Sequence, residues 1–326
     1  MNLTKLQRKF CVAPMMDKTN RHFRYLLRGI SKYTLLYTEM ITTGAILHGN
    51  QNAFLNFDKS EHPLALQLGG SDPIELGECA DIAKKRFFDE LNLNVGCPSN
   101  RVQKGQFGAC LMEKPQVVAA CIRSMQKYSI PVTVKCRLGT ENFNSYENFK
   151  YFIDVVSQES ECKIFIVHAR LAYLNGFSPK QNRDIPPLNY SFVYKLKQQK
   201  PDLQIILNGG IDNLEDAENH LNYVDGVMLG RSICKNPWIL SDVDEKFYNK
   251  QQKKISRIDV ANNYLNYINK FVDEGVSLPF LLRQLLSLFQ GCRGSKYWRN
   301  FLSNTINEVE VTPNMIREAL GFIKVE

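Results

Sequence analysis

Short apolar runs rich in β-branched residues recur along the first three quarters of the chain, at 10–15, 34–40, 64–70, 88–96, 131–139, 163–170, 203–210 and 226–231. Their hydrophobicity is nearly continuous, the pattern of strands buried on both faces of a parallel sheet. Helix-period segments such as 73–85 and 116–128 lie between them. Eight strand–helix units in this length predict a (β/α)8 barrel, an α/β TIM barrel, with a doubly wound parallel sheet as the alternative. The step from one strand to the next is longest after the fourth and sixth strands. The inserted chain, including 97–114 and 171–190, therefore falls on loops at the C-terminal face, where barrels carry their chemistry.

The strand signal stops near 245. Beyond it Val260, Tyr264, Leu265, Ile268, Phe271 and Val272 follow a helical period. Further helices are expected at 279–289, around 298–306 and at 313–323, the last capped by Thr312 with Pro313 in its first turn. The expected organisation is a catalytic barrel over 1–245 followed by a small helical bundle over 246–326.

With 44% hydrophobic and 23% charged residues, the 326-residue chain belongs with globular proteins, neither disordered nor membrane-embedded. Its start has no apolar stretch of signal-peptide length and no segment approaches 18 uninterrupted apolar residues, so a cytoplasmic location is expected. Nine cysteines without a C-x-x-C pair argue against a disulfide framework or a structural zinc site, and no metal is expected. The net charge of +8 favours a polyanionic partner, and +5 of it, from 12 Lys and Arg against 7 Asp and Glu, lies beyond residue 245.

The predicted strand ends carry polar groups that a barrel core would not tolerate: Glu39, Gln67, Asn94, Lys135 with Arg137, His168 with Arg170, and Asn208. In a barrel all of them face one mouth. The turns Asn208-Gly209-Gly210 and Gly230-Arg231 end the seventh and eighth strands, where many barrels hold phosphate with backbone N–H groups and an added cation. Neither a Rossmann fingerprint nor a P-loop occurs, which favours a barrel-bound mononucleotide. For a flavin, Lys135 would place positive charge near N1 and O2 while Gln67 pairs with the pyrimidine edge of the ring. A Schiff-base lysine is the alternative for Lys135. Cys97, between Gly96 and Pro98 just beyond the fourth strand, is either a buried small hydrophobe or an exposed acid. A thiol of ordinary pKa, about 8.5, is mostly protonated at neutral pH and can donate.

Together these residues resemble the flavin-dependent tRNA-dihydrouridine synthases over nearly the whole chain. The resemblance is carried by Val12-Ala13-Pro14-Met15, Leu36-Tyr37-Thr38-Glu39-Met40, Gln67-Leu68-Gly69-Gly70, the run from Leu93 to Ser99, Val134-Lys135-Cys136-Arg137, His168-Ala169-Arg170, Asn208-Gly209-Gly210 and Gly230-Arg231. Thr42-Thr43-Gly44-Ala45, the run from Arg183 to Leu188, and Trp298-Arg299 look like the bacterial A class, which modifies U20 and U20a of the D-loop. The resemblance implies non-covalent FMN held by Pro14, Met15, Met16, Gln67, Lys135, His168, Asn208, Gly209, Gly210, Gly230 and Arg231, with NADPH as transient reductant. It also implies Cys97 as proton donor and tRNA contacts at Asn94, Lys180, Arg183, Lys296 and Arg299, with no obligate protein partner. Lys296 stands where the family pattern has arginine, keeping the charge without the planar fork, and Cys136 replaces a small hydroxyl residue. A uridine entering a barrel mouth has to be extruded from the tRNA fold. Arg283, Arg293, Lys296 and Arg299, interleaved with Tyr297 and Trp298, are the residues expected to grip phosphates and stack on nucleotides. An FMN barrel acting on a free pyrimidine or quinone, and a non-catalytic RNA-binding module, are the competing readings.

Overall fold

Phe10–Val12 (β1), Leu36–Thr42 (β2), Leu64–Gly69 (β3), Glu90–Val95 (β4), Val132–Cys136 (β5), Ile164–His168 (β6), Gln204–Asn208 (β7) and Gly226–Leu229 (β8) form one parallel sheet in a computed structural model of the chain, which describes residues 6–251, 255–305 and 313–323. Bonded neighbours run β1-β8-β7-β6-β5-β4-β3-β2. A parallel bridge between Cys11 and Leu35, with the Val12 N–H donating to the Leu35 carbonyl at 3.0 Å, closes β1 onto β2. This closure makes a barrel and excludes the doubly wound alternative, whose open sheet would keep two edges. β1 is shorter than its expected run: Ala13 still donates to the Leu229 carbonyl, but Pro14 has no N–H and Met15 turns its own to the Thr19 hydroxyl at 3.0 Å.

Strand alternation divides the interior into two layers. On β4, Leu91, Leu93 and Val95 face outward into the apolar layer shared with Leu76, Ala80, Val118 and Ile122 of the flanking helices. The helix Pro73–Lys85 begins where the sequence predicts, because the Asp72 side chain accepts from the Ile74 and Glu75 N–H groups and Pro73 needs no partner in the first turn. Inside the barrel, Cys11, Ala13, Leu35, Tyr37, Ala65, Ile166, Ile206 and Met228 form a separate apolar cluster. The opposite side of the interior is polar, with Gln67, Glu90, Asn92, Asn94 and Thr133 all buried.

The C-terminal helices are Arg257–Asp273, Leu278–Leu282, Ser295–Thr305 and Pro313–Leu320. The continuous helix expected over 279–289 is corrected: regular α-helix ends at Leu282 and tightens into the 3-10 turn Arg283–Leu285. That tightening brings Leu285, Leu288 and Phe289 all inward, with the Leu288 N–H donating to the Leu285 carbonyl. Thr312 and Ile306 lie outside the described residues. The bundle rests on the barrel helix Arg21–Ile30, where Tyr25 and Tyr267 stack with centroids 3.6 Å apart and His22 Nδ1 lies 3.1 Å from the Tyr267 hydroxyl. Among the described residues no helix is long and apolar enough to cross a membrane.

The helix Val243–Tyr248 spans the expected division at residue 245 and packs on the barrel. Its Asp244 accepts from the Lys32 N–H at 2.7 Å, the Tyr33 N–H at 3.3 Å and the Ser31 hydroxyl at 2.5 Å, and Tyr248 donates to the Phe10 carbonyl at 2.9 Å. Asp244 is 2% exposed, so Asp244→Ala strands the buried Ser31 hydroxyl and leaves the partly buried Lys32 and Tyr33 N–H groups without their acceptor, which should cost about 2 kcal/mol in urea unfolding. A variant as stable as the parent would show that these bonds are replaced by water.

Candidate active site

Parallel register sets the polar strand ends side by side: Asn94 pairs in register with Lys135, and His168 with Asn208. Lys135 Nζ donates to Asn208 Oδ1 at 3.0 Å, and Asn208 Nδ2 donates to the Met228 carbonyl at 2.7 Å. Beyond β7 the chain passes through Gly209 at φ +110° and Gly210 at φ +71°. A Cβ at Gly209 would lie 2.5 Å from His168 Cδ2, and one at Gly210 2.4 Å from Leu188 Cδ1, so both conformation and space demand glycine. Gly230 follows β8 beside the exit from β1, where a Cβ would sit 3.4 Å from Met15 Sδ. Thus Met15, Gly230 and Arg231 adjoin the His168–Gly209 turn through neighbouring strands, and Met16 stands exposed at the rim.

Around His168 the charges are mainly positive. Burial, and then the neighbouring Arg137, lower Lys135 from its ordinary value to about 8. His168 is held well below 6.5 by burial and by Arg137, Lys135, Arg170 and Arg231. Arg231 is paired with Asp184 on the loop after β6, and Arg170 reaches the Pro186 carbonyl while its Nε stays buried without a partner. Cations around a neutral imidazole, an unpartnered N–H and a glycine turn together suit an anion such as a nucleotide phosphate.

Cys97 sits above this mouth on a loop fixed from below. Asn94 Oδ1 accepts from the Gly96 N–H at 3.1 Å and the Cys97 N–H at 2.9 Å, while the thiol, partly exposed, lies 3.6 Å from the Ser99 hydroxyl. Arg137 ties the two inserted loops together: its Nε donates to the Gly96 carbonyl at 3.0 Å and its Nη1 to the carbonyls of Leu171 and Asn182, each at 2.9 Å. Gln103 does the same through the carbonyls of Pro98 and Leu174. The sequence marked Arg137 as a polar strand end without indicating this clamp. Gln103 and Asn182 carried no signal beyond lying in or beside the inserted segments.

The expected RNA contacts divide by exposure. Lys180 and Arg183 are exposed on the loop after β6, and Lys296 and Arg299 are exposed three residues apart on the helix Ser295–Thr305. Asn94 is 9% exposed, with its amide engaged inside the protein at both atoms, so it lies beneath the mouth. The stacking role expected of Trp298 is corrected. Its ring is fully buried against Phe289 and its Nε1 donates to the Leu285 carbonyl, which makes it core; Tyr297 remains 46% exposed.

A family model described as dihydrouridine synthase matches residues 11–323. The chain belongs to the dihydrouridine synthase family. The tRNA-dihydrouridine(20/20a) synthase of Escherichia coli K12 is 48% identical over 316 residues, covering 97% of this chain and 91% of that protein. The proteins of the same name from Shewanella oneidensis and Synechocystis are 50% and 49% identical, over 93% and 95% of this chain and 90% and 92% of theirs. Among solved structures the barrel is similar to morphinone reductase, with TM-score 0.51 at 14% identity over 74% of this chain and 86% of that one. It is similar also to the old yellow enzyme homologue of Zymomonas mobilis, with TM-score 0.53 at 11% identity over 76% and 90%. At these identities the likeness is one of fold. The synthase is therefore an oxidoreductase on a (β/α)8 barrel followed by a helical bundle.

His168 gives the synthase a defined pH response. In the unfolded chain the imidazole titrates near 6.5, whereas folded it stays neutral well below that value. Unfolding in acid thus takes up a proton, so this contribution to stability is present above 6.5 and is lost as pH falls toward the folded value. Urea unfolding at about pH 7.5 and 5.5 should show the wild type losing stability on acidification and His168→Gln losing less, with His22, lowered to about 4, supplying part of the remainder. Equal acid sensitivity in the two proteins would contradict the burial of a neutral His168.

Proposed function

We propose that the synthase reduces uridine to 5,6-dihydrouridine in the tRNA D-loop at positions 20 and 20a, with FMN as its flavin and NADPH as reductant, in the cytoplasm. The observation that carries this reading is the 48% identity to the Escherichia coli K12 tRNA-dihydrouridine(20/20a) synthase along 97% of the chain. The site's own chemistry agrees. Gly209, Gly210, Gly230 and Arg231 would hold the phosphate, with Arg170 and His168 beside them. Lys135 and Gln67 would face the ring and Pro14, Met15 and Met16 would border it, and when bound there the reduced flavin supplies a hydride to C6 of uracil.

The chain's residues do the rest. C6 is β to the C4 carbonyl, so a hydride arriving there leaves negative charge at C5 and on the C4 oxygen. The Cys97 Sγ–H gives its proton to C5, completing the single bond, and the thiolate is reprotonated from water. Asn94 fixes the loop that presents the thiol, and the Arg137 and Gln103 clamps hold the two inserted loops around the opening. Lys180 and Arg183 on the rim, with Lys296 and Arg299 on the bundle, contact tRNA phosphates and orient the extruded nucleotide. We place the division between barrel and bundle after Tyr248, because that residue and Asp244 are bonded to the barrel.

The purified protein should be yellow and release FMN on denaturation. Cys97→Ala should keep flavin and flavin reduction by NADPH while losing dihydrouridine formation by roughly a hundredfold or more. Undiminished product formation would remove Cys97 from the chemistry, and equal activity on free uridine would favour the small-molecule reading.

A further inference from the structure

The barrel interior contains a charge pair that the reaction has no use for. Glu90, the first residue of β4, is 0% exposed, and its Oε2 accepts from Arg8 Nε and Nη2, each at 2.6 Å. Its other oxygen accepts from the Tyr37 hydroxyl at 2.8 Å and the Thr133 hydroxyl at 2.7 Å. From Thr133 a chain of side chains climbs toward the mouth. Asn92 Nδ2 donates to Thr133 Oγ1 at 2.9 Å, Gln67 Nε2 donates to Asn92 Oδ1 at 2.8 Å, and Asn94 Nδ2 donates to Gln67 Oε1 at 3.0 Å. Asn94 Oδ1 then accepts the Gly96 and Cys97 N–H groups. Glu90, Asn92 and Asn94 alternate on β4, so the chain rises about 13 Å at about 3.3 Å per residue.

Its direction is fixed at both ends. A carboxylate facing Arg8 only accepts, and backbone N–H groups only donate. Every amide between them is therefore held with its NH2 toward Glu90 and its oxygen toward the Cys97 loop. Thr133 is the one hydroxyl in the series. It accepts a hydrogen bond from Asn92 and donates one to Glu90 Oε1 at 2.7 Å, nearer than the Leu91 carbonyl at 3.2 Å, so it joins the amides to the charge pair.

We propose that Thr133, with Asn92, is a positioning residue for Cys97, acting through Gln67 and Asn94 and anchored by the buried Glu90–Arg8 pair. Removing the hydroxyl leaves Asn92 Nδ2 without an acceptor in a dry interior, where an amide reorients to find one. Gln67 then loses its lower support, and Asn94 holds the Cys97 loop from a looser base. The consequence for catalysis rests on the reading of Cys97 as proton donor; the anchoring of its loop does not.

The test compares flavin-loaded Thr133→Val, which keeps the branched shape, with Thr133→Ser, which keeps the hydroxyl. The Val variant should exchange the Gly96 and Cys97 amide hydrogens faster by on the order of tenfold. Its kcat at saturating tRNA and saturating FMN should fall by a similar factor while KM for tRNA stays as in the parent, the added FMN offsetting any looser hold through Gln67. The Ser variant should restore both. Should Thr133→Val fail to fold, Thr133→Ala against Thr133→Ser makes the same comparison, since the pair differs by one hydroxyl. Exchange and kcat unchanged in the variant lacking the hydroxyl, or changed equally in Ser, overturn the proposal. Faster exchange with unchanged kcat supports the anchoring and sinks the role of Cys97 instead.

Discussion

A closed barrel of parallel strands turns every second residue of each strand into its interior, and β4 fills its share with Glu90, Asn92 and Asn94, all buried. Polar groups in such a place are tolerated only when bonded to one another. The facing residues on β3 and β5, Gln67 and Thr133, complete those bonds together with Arg8 and the Tyr37 hydroxyl on Glu90, and a separate apolar cluster around Ile166, Ile206 and Met228 fills the interior beside them. The mouth inherits its order from this arrangement. The same Asn94 that closes the interior network holds the loop of Cys97.

Above that floor the mouth is governed by charge. Lys135, Arg137, Arg170 and Arg231 surround His168, and most of the fixed acceptors available to these cations are backbone carbonyls and the Asn208 side chain; Asp184 pairs with Arg231. Confining like charges in this way is unfavourable until an anion arrives, so the energetic logic of the site is that of a receptor for a phosphate-bearing ligand. Arg137 serves a second end, since one planar guanidinium spans both inserted loops. A lysine would have kept its charge and lost the bridge.

Much of this was legible in the sequence because it depends on local periodicity. The eight strands, the helix Pro73–Lys85 and the two glycine turns follow from pattern and turn chemistry. The polar strand ends were visible individually, and the barrel supplied their convergence. What escaped was set by tertiary contact. The 3-10 turn at Arg283–Leu285 reflects packing of Leu285, Leu288 and Phe289, and Trp298 looked like a surface aromatic among basic residues until the bundle enclosed it. Helix Val243–Tyr248 follows the last strand signal, yet it bonds to β1 through Tyr248. The partners of Asn92 and Thr133 lie on different strands, where no linear spacing announces them.

We propose that this cationic mouth, holding a flavin below Cys97, acts on uridines of folded tRNA. The most direct measurement incubates the flavin-loaded synthase with NADPH and a tRNA free of dihydrouridine, then maps the reduced bases along the molecule. Dihydrouridine confined to positions 20 and 20a is the expected result. Reduction of free uridine with the tRNA left unmodified would contradict the account.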